Sequence, residues 1–323
     1  MSGRSRRRIP PEDWEVALWK DMRSRYYSSK WLAVANAKSI ASGAFGAVFD
    51  AVICLRDDEG ERWHPAVRAA IKKSWPMGRR RQLKDCPEFH QLRGLTHVNV
   101  NITTYLLQTT TAQGEMVRFT VAPLMPGTLH DHLLRRGRLG SAKETALVGY
   151  QVLRGLAAIH SFGVVHGDIK PENLLFDPDK FILKLTDLDS SFHVADALST
   201  LQVTLMYCPP ELLLRSLQRF GKAIDVWAAG VVIAETQKGG RLFKGSDATA
   251  VFQSIVAAFG PPNDLQLAEL QLPGSKPPAG CGGKHRPSPL PSRVERMATE
   301  EGGRFYRLEE RMRHLVVDCL LRY

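Results

Sequence analysis

One eleven-residue stretch, residues 165–175, limits what this chain can fold into more than any other. It reads V-H-G-D-I-K-P-E-N-L-L and places a carboxylate at Asp168, an ammonium at Lys170 and a carboxamide at Asn173, just ahead of an apolar segment. We predict a short polar loop followed by a buried strand. The carboxylate can accept a proton from a hydroxyl, the ammonium can neutralise a phosphoryl group, and the amide oxygen can bind a cation. These features suit phosphoryl transfer, in which side chains mainly position the reacting groups and neutralise their charge.

Three further segments carry residues suited to a nucleotide. Residues 183–187 form a largely apolar run, predicted to be a strand, that ends in Asp187, a natural ligand for Mg²⁺. A second apolar run ends in Lys72. Ahead of it, residues 40–48 contain two glycines between strand-like segments, and glycines let a hairpin backbone approach phosphate oxygens because no Cβ intervenes. The sequence therefore favours a phosphate-binding hairpin followed by a lysine-bearing strand.

Composition narrows the classes of protein further. The 323 residues are 44% hydrophobic, enough for a sizeable core, and the formal net charge is +11. Such a charge suits the binding of nucleic acid, of an acidic surface or of an acidic peptide. We favour a basic enzyme with a basic N-terminal tail and expect no nucleic acid partner. Five cysteines, an odd number without a C-x-x-C pair, indicate a reducing compartment. Because neither a signal peptide nor a membrane span is expected, we predict a cytoplasmic and/or nuclear protein.

Apolar residues recur at helical spacing in three places. The clearest stripe is Val148, Val152, Leu156 and Ile159. Residues 223–234 form an apolar run around Asp225, which predicts a buried helix. Near the N-terminus, apolar residues spaced by four predict a short amphipathic helix within residues 11–30. By contrast, residues 116–122 alternate in the manner of a strand.

The motifs along the chain resemble, in order, those of eukaryotic protein kinases. H-G-D-I-K-P-E-N-L-L followed by K-L-T-D is similar to the catalytic loop and metal motif of that family. V-T-L-M-Y-C-P-P-E-L-L-L, D-V-W-A-A-G, F-K-G-S-D and F-G-P-P are similar to segments of cyclin-dependent and mitogen-activated kinases, members of the CMGC group. The resemblance covers roughly residues 35–323.

The resemblance implies an α+β, bilobal protein-kinase fold at residues 34–323. A small β-rich N-lobe would occupy about residues 34–124, and a larger helical C-lobe about residues 125–323. Residues 1–33 would form a basic N-terminal extension, and residues 273–303, rich in Pro, Gly and Ser, a flexible insert. The family's D-P-x-x-R segment and last helix have no counterpart, so we expect a truncated C-lobe.

The activity that the resemblance implies is that of a protein serine/threonine kinase, a transferase that uses ATP and Mg²⁺. Asp168 and Lys170 would be catalytic, while Asn173 and Asp187 would hold Mg²⁺. The resemblance assigns nucleotide binding to four parts of the chain. They are the glycine-rich hairpin, the strand that ends in Lys72 together with the helix glutamate Glu88, the hinge at Leu124 and Met125, and the strand after the catalytic loop. The residues are Ile40, Ala41, Ser42, Gly43, Ala44, Phe45, Gly46, Ala47, Val48, Ala70, Lys72, Glu88, Leu124, Met125 and Leu175. Lys170 and Thr204 are the choices of serine/threonine kinases, since tyrosine kinases differ at both.

A second hypothesis is a catalytically weak pseudokinase that serves as a protein-binding scaffold. The metal motif reads D-L-D, so Leu188 and Asp189 stand where the family has the last two residues of D-F-G. Asp is among the few residues that tolerate a left-handed backbone, but its charge would lie beside the metal. The presence of Lys72, Asp168 and Asp187 favours an active enzyme.

Control of the activity is expected to differ from that of cyclin-dependent kinases. In those kinases three arginines hold a phosphorylated activation-loop residue, and the matching positions here are Pro87, Gly167 and Phe192. None is charged, so a phosphate on Ser199 or Thr200 would lack the partners that a phosphate switch needs. We therefore predict activity without activation-loop phosphorylation. The expected partner is a protein substrate, with a regulatory subunit other than an ordinary cyclin left open, and no membrane.

Overall fold

The computed structural model describes residues 14–23, 28–43, 46–56, 63–75, 91–195, 203–213 and 221–260. The strands in these ranges are β1 Glu15–Asp21, β2 Ser29–Gly43, β3 Gly46–Leu55, β4 Val67–Ser74, β5 Tyr105–Thr110, β6 Met116–Pro123, β7 Val164–Val165, β8 Leu174–Asp177, β9 Ile182–Leu185 and β10 Phe192–His193. The helices are α1 Leu129–Arg136, α2 Ala142–Ser161, α3 Pro210–Leu213, α4 Ala223–Lys238 and α5 Ala248–Phe259. The chain divides into two compact units, the first made of Met1–Gly127 with Leu175–Asp189, the second of Thr128–Leu174 with Ser190–Tyr323.

The first unit is built on a closed barrel whose strands follow the order β1-β2-β3-β4-β6-β5. All its pairings are antiparallel, and β1 closes the ring on β5, where Lys20 lies opposite Leu106 and Asp21 opposite Tyr105. Alternate side chains point inward, as the twofold period of a strand requires. The barrel core consists of Trp19, Leu32, Ala51, Ile53, Ala69, Ile71, Tyr105 and Val121.

The helix predicted within residues 11–30 is wrong, because this segment supplies β1 and the start of β2. The buried positions of β1 follow a period of two: Trp19 and Asp21 are buried, while Leu18 between the strand's inner residues is 48% exposed. A spacing of four is also a multiple of two, so it is compatible with one face of a strand as well as with one face of a helix. Pairing with the neighbouring strand overrides this weak local signal.

A two-stranded sheet of β8 and β9 leads to Asp187. Leu183 and Leu185 in β9 are fully buried. The N–H of Asn101 donates to the carbonyl of Leu185 at 2.8 Å, and the N–H of Leu185 donates to the carbonyl of Asn99 at 2.9 Å. The apolar strands predicted after Asn173 and before Asp187 are therefore confirmed, and main-chain bonds fix the end of the second one.

The second unit contains the two long helices that the apolar patterns predict. α2 begins with a capping box in which Ser141 Oγ accepts from the N–H of Glu144 at 3.2 Å, and the Glu144 carboxylate accepts from the N–H of Ser141 at 3.0 Å. Its predicted stripe is confirmed as buried: Val148, Val152, Leu156 and Ile159. A Cβ on Gly149 would lie 3.0 Å from Ile233 of α4, so the two helices approach closely at this glycine.

Several predictions concern parts of the chain outside the described residues. They are the roles of Ala44, Phe45, Pro87 and Glu88, the effect of a phosphate on Ser199 or Thr200, and the insert at residues 273–303. Among the helices that the structure does describe, none has the length and apolar character needed to cross a bilayer.

Candidate active site

The loop that carries Asp168 follows β7 directly and is fixed by the buried carboxylate of Asp225 in α4. Asp225 accepts hydrogen bonds from the backbone N–H of His166 at 2.8 Å and of Gly167 at 2.9 Å, and its Oδ2 lies 2.8 Å from Nε2 of His160. These contacts hold the backbone immediately ahead of Asp168. Sequence reasoning placed Asp225 in a buried helix but missed this role, for which the signal was a lone carboxylate inside the longest apolar run.

Three side chains converge on the carboxylate of Asp168. Lys170 Nζ donates to Oδ2 at 2.6 Å, Asn173 Nδ2 donates to the same oxygen at 3.0 Å, and Thr204 Oγ1 donates to Oδ1 at 2.7 Å. Lys170 Nζ also donates to Thr204 Oγ1 at 3.1 Å, and Asn173 Nδ2 to the main-chain carbonyl of Asp168 at 2.8 Å. The loop spacing of the sequence thus brings Lys170 and Asn173 to Asp168, and these two side chains and Thr204 fix the orientation of the carboxylate.

Thr204 shows which oxygen of Asp168 is suited to receive a hydroxyl. Its contact with Oδ1 is a hydrogen bond donated by an aliphatic hydroxyl, so this oxygen can accept from such a group. A small cleft beside this oxygen is lined by Thr204, Tyr207, Pro209 and Ile224. The sequence marked Thr204 only as typical of serine/threonine kinases, and the direct contact with Asp168 was missed.

Lys72 lies on β4 between Val48 of β3 and Thr120 of β6. Its ammonium is 2.5 Å from Oδ1 of Asp187 and 2.6 Å from Oδ2 of Asp189. Burial alone would lower the pKa of Lys72, but the two carboxylates outweigh burial and raise the pKa above its ordinary value. Lys72 therefore remains a cation, although the contact with Asp189 was not foreseen from the sequence.

The described part of the predicted phosphate-binding hairpin lies at the end of β2 and the start of β3. Gly43 lies opposite Gly46, and a Cβ on Gly46 would lie 2.1 Å from the carbonyl oxygen of Lys73, so only glycine fits this close approach to β4. Trp75 Nε1 donates to the carbonyl of Gly43 at 2.9 Å. The exposed predicted residues are Ile40, Ala41, Ser42 and Gly43, and the buried or half-buried ones are Gly46, Ala47 and Val48.

Four further residues predicted to bind the nucleotide lie in the first unit: Ala70, Leu124, Met125 and Leu175. Each is half-buried. Ala70 lies opposite Ala122 at the end of β6, two residues ahead of the predicted hinge. The N–H of Phe176 donates to the carbonyl of Gly127 at 2.9 Å, which ties β8 to the residues just after that hinge. The structure therefore gathers these positions around the end of β6.

Asp187 and Asn173 fit the chemistry of magnesium ligands. Asp187 follows β9 with a φ of 64°, a left-handed conformation that Asp tolerates. Two carboxylates, Asp187 and Asp189, meet the single ammonium of Lys72, so this cluster retains a negative charge that suits a cation. Asn173 makes its bonds to Asp168 through the amide nitrogen, and its amide oxygen is the atom suited to a metal. Mg²⁺ prefers such oxygen ligands.

A polar network anchors the segment that follows Thr204. Tyr207 donates its hydroxyl hydrogen to Glu235 at 2.8 Å, and the N–H of Leu242 donates to the same carboxylate at 2.9 Å. Arg241 contacts the hydroxyl of Tyr207 and donates to Glu172 at 3.1 Å. Burial raises the pKa of Tyr207 and of Glu235 above their ordinary values. The network links the segment after Thr204 to Glu172 in the catalytic loop.

A scan against protein-family models matches residues 34–320 to the protein kinase domain. Among curated proteins, the chain is 32% identical over 244 residues to protein kinase gsk3 of Schizosaccharomyces pombe, covering 74% of this chain and 59% of that kinase. It is 31% identical over 281 residues to human mitogen-activated protein kinase 12, covering 85% of this chain and 68% of that kinase.

A third similar protein is human mitogen-activated protein kinase 4, at 34% identity over 199 residues. That alignment covers 58% of this chain and 34% of the relative. The chain thus spans about three fifths of the yeast kinase and a smaller share of this human one. The three relatives are kinases of the group that the sequence motifs resemble.

Proposed function

Because this chain belongs to the protein kinase family, with a CMGC-like sequence, we propose that it is a protein serine/threonine kinase that uses ATP and Mg²⁺. The observation that carries the proposal is the carboxylate of Asp168, held by Lys170 and Asn173 on one oxygen and already accepting an aliphatic hydroxyl from Thr204 on the other. This arrangement suits a group that must orient and deprotonate a serine or threonine hydroxyl.

Each side chain has a role that follows from its contacts. Oδ1 of Asp168 accepts the substrate hydroxyl proton, and Lys170, 2.6 Å from Oδ2, orients the carboxylate and offers charge to the transferring phosphoryl group. Lys72 binds nucleotide phosphates through its permanent charge, while Asn173 and Asp187 would hold the metal. Bound ATP supplies the phosphoryl group, and Mg²⁺ neutralises its charge.

The test of this proposal is Asp168→Asn, which preserves the shape of the side chain but removes the proton acceptor. Turnover of ATP with a protein substrate should fall by about 10²- to 10⁴-fold, whereas ATP affinity should stay within the range of the wild type. Asp179→Asn, an exposed carboxylate beyond β8, serves as the matched control and should retain activity. Equal turnover in Asp168→Asn and the wild type would rule out the role given to Asp168.

We also propose that the activity does not require phosphorylation of the activation loop. Gly167 and Phe192 occupy two of the three positions where cyclin-dependent kinases carry the arginines that bind the phosphate. Phe192 is 4% exposed, pairs with Val165 in a two-stranded sheet and packs on Ile224. This apolar packing at the start of the activation loop supports the proposal that the loop is held in place without a phosphate.

The experiment for this second proposal compares three enzyme samples. They are untreated wild type, phosphatase-treated wild type, and the double variant Ser199→Ala with Thr200→Ala. Similar turnover in all three is the expected result. A large loss of turnover in either modified sample contradicts the proposal, since phosphate on the loop would then be needed.

A pseudokinase acting as a binding scaffold is the second candidate function. The observation that favours it is the engagement of the Lys72 ammonium by two carboxylates, one of which, Asp189, stands where the family has glycine. For either candidate we propose a protein partner and a cytoplasmic and/or nuclear location. Two buried cysteines, Cys54 and Cys208, are free thiols, which supports such a reducing compartment.

A further inference from the structure

Asp189 makes a contact that the family pattern does not provide. Its Oδ2 lies 2.6 Å from Nζ of Lys72, and the two side chains are 18% and 26% exposed. This is a partly buried ion pair, in which a charge-assisted hydrogen bond is stronger and less screened than on an open surface. The family's glycine could make no such bond.

The local fold places Asp187 and Asp189 on the same side of the chain. Asp187 takes a left-handed conformation, and Leu188–Ser190 form a short 3₁₀ turn. Leu188 points into the protein interior and is 4% exposed. With the residue between them buried, both flanking carboxylates reach one ammonium on β4. The pairing register of β4 fixes the backbone of Lys72, so only the end of its long side chain needs to be held.

Among the described residues, the side chains that hold that end are the carboxylates of Asp187 and Asp189. If Asp187 serves as a metal ligand, its charge is shared with the cation, and its hold on the ammonium weakens. Among the described residues, Asp189 is then the carboxylate that still pairs with Lys72. We infer that Asp189 is a positioning residue that keeps the Lys72 ammonium oriented toward the nucleotide phosphates. The inference rests on the proposed kinase function for its consequence, but the ion pair itself can be tested without activity.

The first test is a double-mutant cycle on thermal stability in the full chain without nucleotide. Asp189→Asn should lower the melting temperature when Lys72 is present, because a paired carboxylate is lost. In a Lys72→Met background the same change should leave the melting temperature unchanged or raise it, since two facing carboxylates are then relieved of repulsion. An equal effect of Asp189→Asn in both backgrounds overturns the inference.

The second test separates positioning from simple folding through steady-state kinetics with ATP. Asp189→Asn and Asp189→Gly should raise the KM for ATP and lower kcat, together on the order of tenfold or more in kcat/KM. Asp189→Glu, which keeps the carboxylate, should recover most of the loss. Asp50→Asn removes a carboxylate that is 20% exposed and paired with Arg68 in the same barrel, and it should behave as wild type.

The outcomes are distinct from those of the proposed function. Unchanged or higher kcat/KM in Asp189→Gly overturns the inference, because Asp189 would then withhold Lys72 from the nucleotide instead of presenting it. If the wild type transfers no phosphoryl group, the proposed kinase function fails, and the stability cycle alone decides whether Asp189 holds Lys72.

Discussion

At the scale of single residues, Gly167 shows why the loop ahead of Asp168 has its present sequence. Its φ is 80°, and a Cβ built on it would lie 2.8 Å from the carbonyl oxygen of Ser190. Any other residue here meets both a disfavoured backbone conformation and a collision with backbone. The arginine that cyclin-dependent kinases carry at this position could not be restored without moving the Ser190 segment.

We predict that Gly167→Ala lowers the free energy of unfolding by about 1–2 kcal/mol or more, from the left-handed backbone alone. Gly221→Ala is the matched control, because its φ is not positive and no atom lies within 4 Å of the added Cβ. The control should change stability by less than about 0.5 kcal/mol. Denaturant unfolding of the two variants measures the difference, and equal stability of both would show that neither the left-handed backbone nor the Ser190 carbonyl restricts this position.

Fixed offsets along the chain predicted part of the candidate site, and tertiary contacts supplied the rest. The grouping of Asp168, Lys170 and Asn173 follows from a short loop, so the sequence was sufficient to place these three together. The contacts of Asp225 with the loop backbone join residues 58 and 59 positions apart. No local pattern encodes such a distance, so only the packed structure could show them.

At the scale of elements, β1 is the largest departure from the sequence prediction. The matched family region begins at residue 34, yet β1 and the first part of β2 precede it and complete the barrel. The predicted strands and helices with strong apolar periods, including β6, α2 and α4, are confirmed. β1 was mistaken because a seven-residue strand gives little period to read, and its pairing partner on one side, β5, lies far along the chain.

Trp19 provides the mutational test of barrel closure. It is 3% exposed and belongs to the barrel core, so Trp19→Ala should lower the free energy of unfolding by about 3–5 kcal/mol. Leu18→Ala, on the exposed face of the same strand, should cost less than about 0.5 kcal/mol. If the two variants unfold at the same denaturant concentration, β1 is not part of the stable barrel.

Asp21, at the end of β1, makes a pH-dependent contribution to the stability of the fold. Burial would raise the pKa of Asp21, but its hydrogen bonds with Arg23 outweigh burial and hold the pKa below its ordinary value. A carboxyl with a lowered folded-state pKa stabilises the fold above its unfolded pKa, about 3.9, and this contribution is lost as the pH falls through the folded value.

The measurement compares melting temperatures of the wild type and Asp21→Asn from pH 7 down to pH 3. The wild type should melt higher at pH 7, and the gap should narrow below about pH 4. A difference in melting temperature that stays constant over this range would contradict the lowered folded-state pKa of Asp21. The effect of Asp21→Asn would then come from the shape of the amide side chain and not from the lost charge.

At the scale of the whole molecule, the predicted site residues are divided between the two units. The predicted nucleotide residues that the structure describes lie in the first unit, together with Lys72, Asp187 and Asp189, while Asp168, Lys170, Asn173 and Thr204 lie in the second. The order of motifs in the sequence was sufficient to predict a β-rich part followed by a helical part. It did not predict that β9 and Asp187, which follow the catalytic loop in sequence, belong with the barrel, because this assignment comes from contacts such as those of Leu185 with Asn99 and Asn101.

Nucleotide binding by the full chain distinguishes an enzyme from a scaffold. A ligand present at about 100 times its Kd stabilises the folded state by about 2.7 kcal/mol, which corresponds to a rise of about 5–10 °C in the apparent melting temperature. We expect this rise with ATP and Mg²⁺ together and a much smaller one with ATP alone, since the phosphates and Asp187 both gain from the cation.

Two variants assign the stabilisation to the proposed residues. Lys72→Met should reduce the rise with ATP whether or not Mg²⁺ is present, because it removes a phosphate-binding charge. Asp187→Asn should remove mainly the part that depends on Mg²⁺, because it removes a metal ligand. A rise that is independent of Mg²⁺ in the wild type would favour the pseudokinase, since a chain that binds the nucleotide without the metal lacks the charge neutralisation on which phosphoryl transfer depends.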